Sequence, residues 1–178
     1  MKSIIACIVV AAFVSQSSAE TPAPTPAQQA EQFYRQGQAA EQAGDPVAAQ
    51  KAYTEALKLN PGFANARYSL GQLKITSGAI ATKGRELKFG AVIIPEFKLD
   101  GATLQEALDA LCVIIEKQSK GEVAPNFIVQ DPKAQLASAK ISLNLKSMPS
   151  KAILQYLMDQ SGANARFDEH AIVISPRS

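Results

Sequence analysis

Between Ala30 and Pro61 the chain sets small residues at Gly37, Ala40, Ala49 and Ala56 beside two large ones at Phe33 and Tyr53. This is the spacing of two antiparallel helices in close contact, which need small side chains facing each other and a large one filling the gap beside them. Gly44-Asp45 supplies the turn, and Asp45-Pro46 a helix start in which the missing N–H of Pro46 costs nothing. Pro61 ends the second helix. A further helix, Ala64 to Thr76, repeats the opening of the unit with Tyr68, Leu70 and Gly71, although Arg67 stands where the pattern has an aromatic residue. No second helix follows it in the same pattern, so it reads as a capping helix.

Phe33, Gly37, Ala40, Gly44-Asp45, Ala49, Tyr53, Ala56 and Pro61 together resemble one tetratricopeptide repeat of about 34 residues. The resemblance implies protein binding. In such arrays the inner face of each unit's first helix holds peptides. The matching residues are Tyr34, Gln38 and Glu41, with Tyr68 and Gln72 on the capping helix. The basic pair that grips a C-terminal carboxylate in some members is missing, and an equally weighted reading packs Tyr34 and Tyr68 against the next helix. One repeat cannot bury its apolar face alone, because arrays need about three units. It must lean on the rest of the chain or on a second copy.

Residues 1–19 run Lys2, an unbroken apolar stretch from Ile4 to Val14, then Ser17-Ser18-Ala19, the order of a secretory signal peptide cut after Ala19. This predicts a periplasmic or secreted protein. The apolar stretch falls below the roughly 20 residues that cross a bilayer, so no membrane span is expected after cleavage. Cys7 lies inside the apolar core with no second anchoring signal, which argues against lipidation. Its removal leaves Cys112 without a disulfide partner, so stability must come from packing. Loss of Lys2 leaves 17 basic against 16 acidic residues, and this balance gives no basic stripe for nucleic acid.

Residues 20–29, with Pro22, Pro24 and Pro26, read as an extended Pro-rich tether; 30–76 form the repeat with its capping helix; 77–90, with Gly78, Gly84 and Gly90, read as a flexible linker. Gly78…Lys83-Gly84 is no phosphate loop, since Gly-Lys-Ser/Thr is absent and a helix precedes it where a strand is required.

From 91 to 178 the period changes. Glu96-Phe97-Lys98-Leu99 and the seven residues Lys140 to Lys146 alternate polar and apolar, as strands buried on one face do. Phe127-Ile128-Val129, Ala165-Arg166-Phe167 and Ile172-Val173-Ile174 add three more, the last two flanking a tight turn at Asp168-Glu169-His170-Ala171. Pro95 belongs at a strand beginning or an edge. Thr103 and Glu106 form a capping box before a helix that buries Leu104, Ala107, Leu108, Leu111, Ile114 and Ile115. A second helix begins near Pro149, buries Ala152, Ile153, Leu157 and Met158, and ends at Gly162. The expected domain is a small β-α-β-β-α-β-β unit with two helices on one face of a sheet, so the whole chain is α+β, a helical hairpin followed by this domain.

That order, with Val92-Ile93-Ile94-Pro95-Glu96-Phe97, the helix start Ala102 to Leu108, Ile141 to Leu145 before Met148-Pro149, and the closing Ile172-Val173-Ile174, resembles the short N-terminal domain of secretins and TonB-dependent receptors over roughly Leu87 to Pro176. The resemblance implies a periplasmic docking module that meets inner-membrane or regulatory partners. The chain departs from that family in lacking a downstream pore or receptor barrel.

Chemistry has little to work with. Asp168-Glu169-His170 is the one cluster of acid and imidazole groups, and adjacent turn residues point apart. Cys112 lies in an apolar helix with no histidine near in sequence and reads as core filling. Nucleophile-elbow, zinc-protease, paired-cysteine and dinucleotide motifs are absent, so the expectation is a protein with no catalytic residues, no metal and no cofactor. The function expected is that of an exported adaptor or assembly factor of the bacterial envelope, linked to a secretion or pilus-type system, with secretin, pilus or receptor components, or its own copy, as partners. The alternatives are a periplasmic module sensing a peptide or small ligand, and a hydrolase using Glu169 and His170.

Overall fold

A computed structural model describes residues 24–177. The signal sequence and the first part of the tether lie outside them. The described chain is α+β, in the order α1 (Pro26–Ala43), α2 (Pro46–Leu59), α3 (Ala64–Ala91), β1 (Ile93–Ala102), α4 (Leu104–Gln118), β2 (Phe127–Val129), β3 (Ile141–Pro149), α5 (Ser150–Ser161), β4 (Ala163–Phe167) and β5 (Ile172–Pro176).

Local signals set most boundaries. Thr25 caps α1 and forms a capping box with Gln28, and Pro26 occupies the first turn. The tether reading of 26–29 is thereby corrected: one hydroxyl at Thr25 turns a proline-rich stretch into a helix start. Gly44 closes α1 at a φ of 77°, and the Asp45 carboxylate accepts from Ala48 N to open α2. Thr103 and Glu106 open α4 as a capping box, and Gly162 ends α5 at a φ of 69°. The backbone and side chain of Thr103 hold the Glu106 carboxyl below its usual range, so the box is complete in neutral solution.

The linker reading of 77–90 is also corrected, since α3 runs unbroken through it. Each glycine that suggested flexibility sits where another part of the chain comes close. A Cβ on Gly84 would overlap the backbone of Gly44, one on Gly78 would lie 3.4 Å from Glu169 Oε2, and one on Gly90 would lie 3.5 Å from Lys151 Cβ. Gly84 is there for a close backbone approach, while at Gly78 and Gly90 the neighbours stand at ordinary contact distance, and none of the three breaks the helix.

The single-sheet expectation gives way to two sheets. β1 and β3 form an antiparallel pair, while β5 lies between β4, antiparallel, and β2, parallel. Both edges of β5 are thus taken, and Ala171 to Ile174 are all buried, as in a strand covered on both faces. α5 touches β3 of one sheet and β4 of the other, and α4 packs on β1. One core joins Ile94, Phe97, Leu108, Leu111, Ile115, Ile141, Ile153, Leu157 and Ile174.

A smaller core of Ala49, Tyr53 and Leu73, with Tyr34, Ala40, Leu70 and Ile80 at its margin, holds the three N-terminal helices. The second half of α3 belongs to the larger core. Phe89 is 1% exposed and meets Phe127 and Phe167 edge-on, at centroid distances of 6.3 and 5.4 Å. The Phe89 carbonyl accepts from the Ser150 hydroxyl, the Asp168 carbonyl accepts from the Arg85 guanidinium, and Lys151 Nζ donates to Glu86 Oε1 at 2.6 Å. The two halves therefore touch, and α3 is a wall of both.

Candidate interaction surface

Tyr53 organises the N-terminal surface. Its ring fills the space above Gly37, where a Cβ would stand 2.6 Å from Cδ1 and 2.8 Å from Cζ, and its hydroxyl donates to Glu41 Oε1 at 3.0 Å. Tyr34 lies against Tyr53 at 5.6 Å and against Phe63 at 5.1 Å, and its hydroxyl accepts from Gln38 Nε2 at 3.2 Å. Two of the five expected peptide-contact residues, Tyr34 and Glu41, are thus engaged in the α1–α2 packing, while Gln38 is exposed and bonds Tyr34 along α1. Tyr34 packs as the plainer reading proposed.

Burial, then the bond to Glu41, raises the Tyr53 phenol far above its ordinary pKa of 10.0. The folded state favours the neutral phenol, so this stability is complete below the unfolded-state value and is lost as pH rises past it. Thermal melts of the wild type are expected to fall more steeply than those of Tyr53→Phe above about pH 10, with matching curves near neutrality counting for the assignment. Equal alkaline slopes would refute it.

Tyr68 and Gln72 are exposed on α3, Tyr68 at 69%. Ile75, one turn further, is 82% exposed, and a Cβ on Gly71 would meet nothing within 4 Å. Sequence reasoning missed Ile75 because it was read only as part of a capping helix. The 34-residue offset could have found it, since Tyr34, Gly37 and Glu41 project onto Tyr68, Gly71 and Ile75.

In the C-terminal half, β1 and β3 each keep one unpaired edge, as do β2 and β4. Gln160 accepts from Ser142 N at 3.2 Å and donates to Ser142 O at 3.1 Å, which blunts the outer edge of β3 near its start. The chemistry-bearing residues stay dispersed. Asp168 pairs with Arg166 at 2.9 Å, Glu169 turns toward Gly78, and the His170 side chain is exposed while its carbonyl accepts from Asn126. Among the described residues no three His, Cys, Asp or Glu side chains converge as a metal site. Burial, then Glu116, raises the Cys112 thiol, and its Sγ lies 3.4 Å from the Pro125 carbonyl, an arrangement that keeps the thiol protonated and a poor nucleophile.

The clefts are open. One of about 610 Å³ lies between the end of α3 and the α4–β2 loop and includes Lys88, Ile93, Gln118 and Glu122 in its lining. Another of about 340 Å³ sits at the start of α4, with Leu104, Val129 and Leu136 beside Asp131. Asp131 is already committed there, accepting from the backbone N–H of Gln135 and of Leu136. No helix among the described residues is long and apolar enough to cross a membrane.

No family model matches the chain, and neither a curated protein nor a solved structure does.

Proposed function

We propose that the protein is a non-enzymatic, exported docking protein of the bacterial envelope, periplasmic after cleavage behind Ala19, that joins two protein partners. The observation that carries this reading is the use of α3. At one end the helix leaves Tyr68, Gln72 and Ile75 in solvent, and at the other it buries Phe89 in the C-terminal core. One continuous helix thus ties a helical surface to a domain with open strand edges, the two kinds of feature by which proteins hold helices and strands of other proteins. The likeness of 30–76 to a tetratricopeptide unit supports the first surface. The strand and helix order of 91–178 supports a docking domain like those of secretins and TonB-dependent receptors for the second. Dispersal of Asp168, Glu169 and His170 weighs against the hydrolase reading.

Capture from a solubilised envelope extract, with the purified chain as bait and mass spectrometry as readout, tests this. Secretin, pilus or receptor components are expected to be retained. Recovery of the bait alone would remove the support for an adaptor. One observation favours a second reading, a sensor of a small apolar ligand: the cleft walled by Leu104, Val129 and Leu136 at the start of α4. A small molecule carried through purification, seen by native mass spectrometry, would favour the sensor.

A further inference from the structure

We propose that the outer face of the first half of α3 is a self-complementary docking surface, and that its occupant is the same face of a second copy of this chain, packed antiparallel. The face is the one the repeat covers on α1. There, Gly37 is a hole and Tyr53, from the antiparallel α2, is the knob that fills it. Thirty-four residues on, Gly71 repeats the hole, and nothing among the described residues enters it.

What fits is written on the same face. Ala64, Tyr68, Gly71 and Ile75 follow one another at helical spacings of four, three and four, so they form a single stripe, and all are exposed. An isologous contact needs knob and hole on one surface. About a two-fold axis between Ser69 and Leu70, Tyr68 of one copy faces Gly71 of the other, and Ala64 faces Ile75. Every large side chain of the stripe then meets a small one, as Tyr53 meets Gly37 within the repeat. Charge does not oppose the register: Lys74 falls opposite Asn65, and Arg67 opposite Gln72.

The open length agrees. The next step of the stripe is Gly78, where the Glu169 side chain already lies, so the exposed part ends there. Ala64 to Ile75 spans about 16 Å, and the antiparallel partner presents the same length. The contact continues the α1–α2 packing that the repeat uses internally, in the same 34-residue register, which is why a helix and not an extended peptide is the occupant. One helix crossing buries less than the roughly 1,200–2,000 Å² of a standard interface, so the dimer is weak, with a dissociation constant on the order of 10 µM. The inference deepens the docking reading by naming the repeat-side partner, and its failure would leave capture through the C-terminal half untouched.

Sedimentation velocity of the purified chain over a range of concentrations tests it, beside Gly71→Leu and Tyr68→Ala. Gly71→Leu fills the hole from a Cβ that meets nothing within 4 Å among the described residues and replaces a poor helix former, so its melting temperature is expected to hold or rise. The wild type is expected to pass from monomer to dimer, and both variants to dimerise at least tenfold more weakly with unchanged circular dichroism. A wild type that stays monomeric at about 100-fold above the expected constant overturns the proposal. So does a dimer that Gly71→Leu leaves intact, and so does a monomer whose stripe is protected only by a helix of another protein.

Discussion

Phe89→Ala is expected to lower the stability of the fold by about 3–5 kcal/mol, the usual range for deleting a fully buried aromatic side chain. Phe89 is 1% exposed, and its ring meets Phe127 of β2 and Phe167 of β4 edge-on. Neither strand can close the space, because β2 and β4 are both fixed to β5 along their ladders. The Phe89 carbonyl also receives the Ser150 hydroxyl, and Ser150 opens α5. That bond uses the backbone carbonyl and survives the substitution, so the loss reports the packing of the ring. Urea denaturation followed by circular dichroism measures the loss. A change below about 1 kcal/mol would mean that α3 is dispensable to the C-terminal core.

Gly84→Val is the second large effect. A Cβ at residue 84 would sit 2.8 Å from Gly44 C and 2.9 Å from Gly44 Cα, so the overlap is with backbone and no rotamer change relieves it. Gly44 cannot easily retreat, since its φ of 77° closes α1 and its N–H is bonded to the last turn. The α1–α2 turn must lift from α3, at a cost of about 2–3 kcal/mol. Gly71→Ala in the same helix is the control at concentrations where the chain is monomeric, because an added methyl there meets nothing among the described residues and gains helix propensity. Parallel melts of the two variants should move in opposite directions. A shared downward shift would show that helical glycine as such, and not the approach to Gly44, matters.

How far the sequence revealed this fold depends on what each residue reports. Helix ends were legible because Thr103 with Glu106, Asp45 before Pro46, and Gly162 act through bonds to their own near neighbours. Strand positions were legible because Ile141, Leu143 and Leu145 alternate with Ser142, Asn144 and Lys146. Which strands pair was not, since edges meet through backbone groups that carry no side-chain mark, and one sheet and two sheets bury the same residues. The stretch 77–90 was misread for a related reason. A glycine that makes room for a distant backbone looks, in one dimension, like one that provides freedom, and only the fold sets Gly84 against Gly44.

The candidate site was legible in part. Tyr34, Gln38 and Glu41 were found through the repeat pattern, but the contacts of Tyr34 and Glu41 with Tyr53 depend on the helix crossing, which spacing alone does not fix. Tyr68 and Gln72 came from the same pattern. Ile75 stood in the sequence beside them, and its meaning depended on knowing that no second helix among the described residues covers it.

A helix that is a wall of two cores has no place to be cut. A protease or an expression boundary between 77 and 90 would take Gly84 from beneath the α1–α2 turn or Phe89 from among the strands, leaving one half with a missing side. What the sequence divides most plainly into two modules is, in three dimensions, a single inheritable piece: neither half can be exchanged, duplicated or passed to another protein unless α3 goes with it.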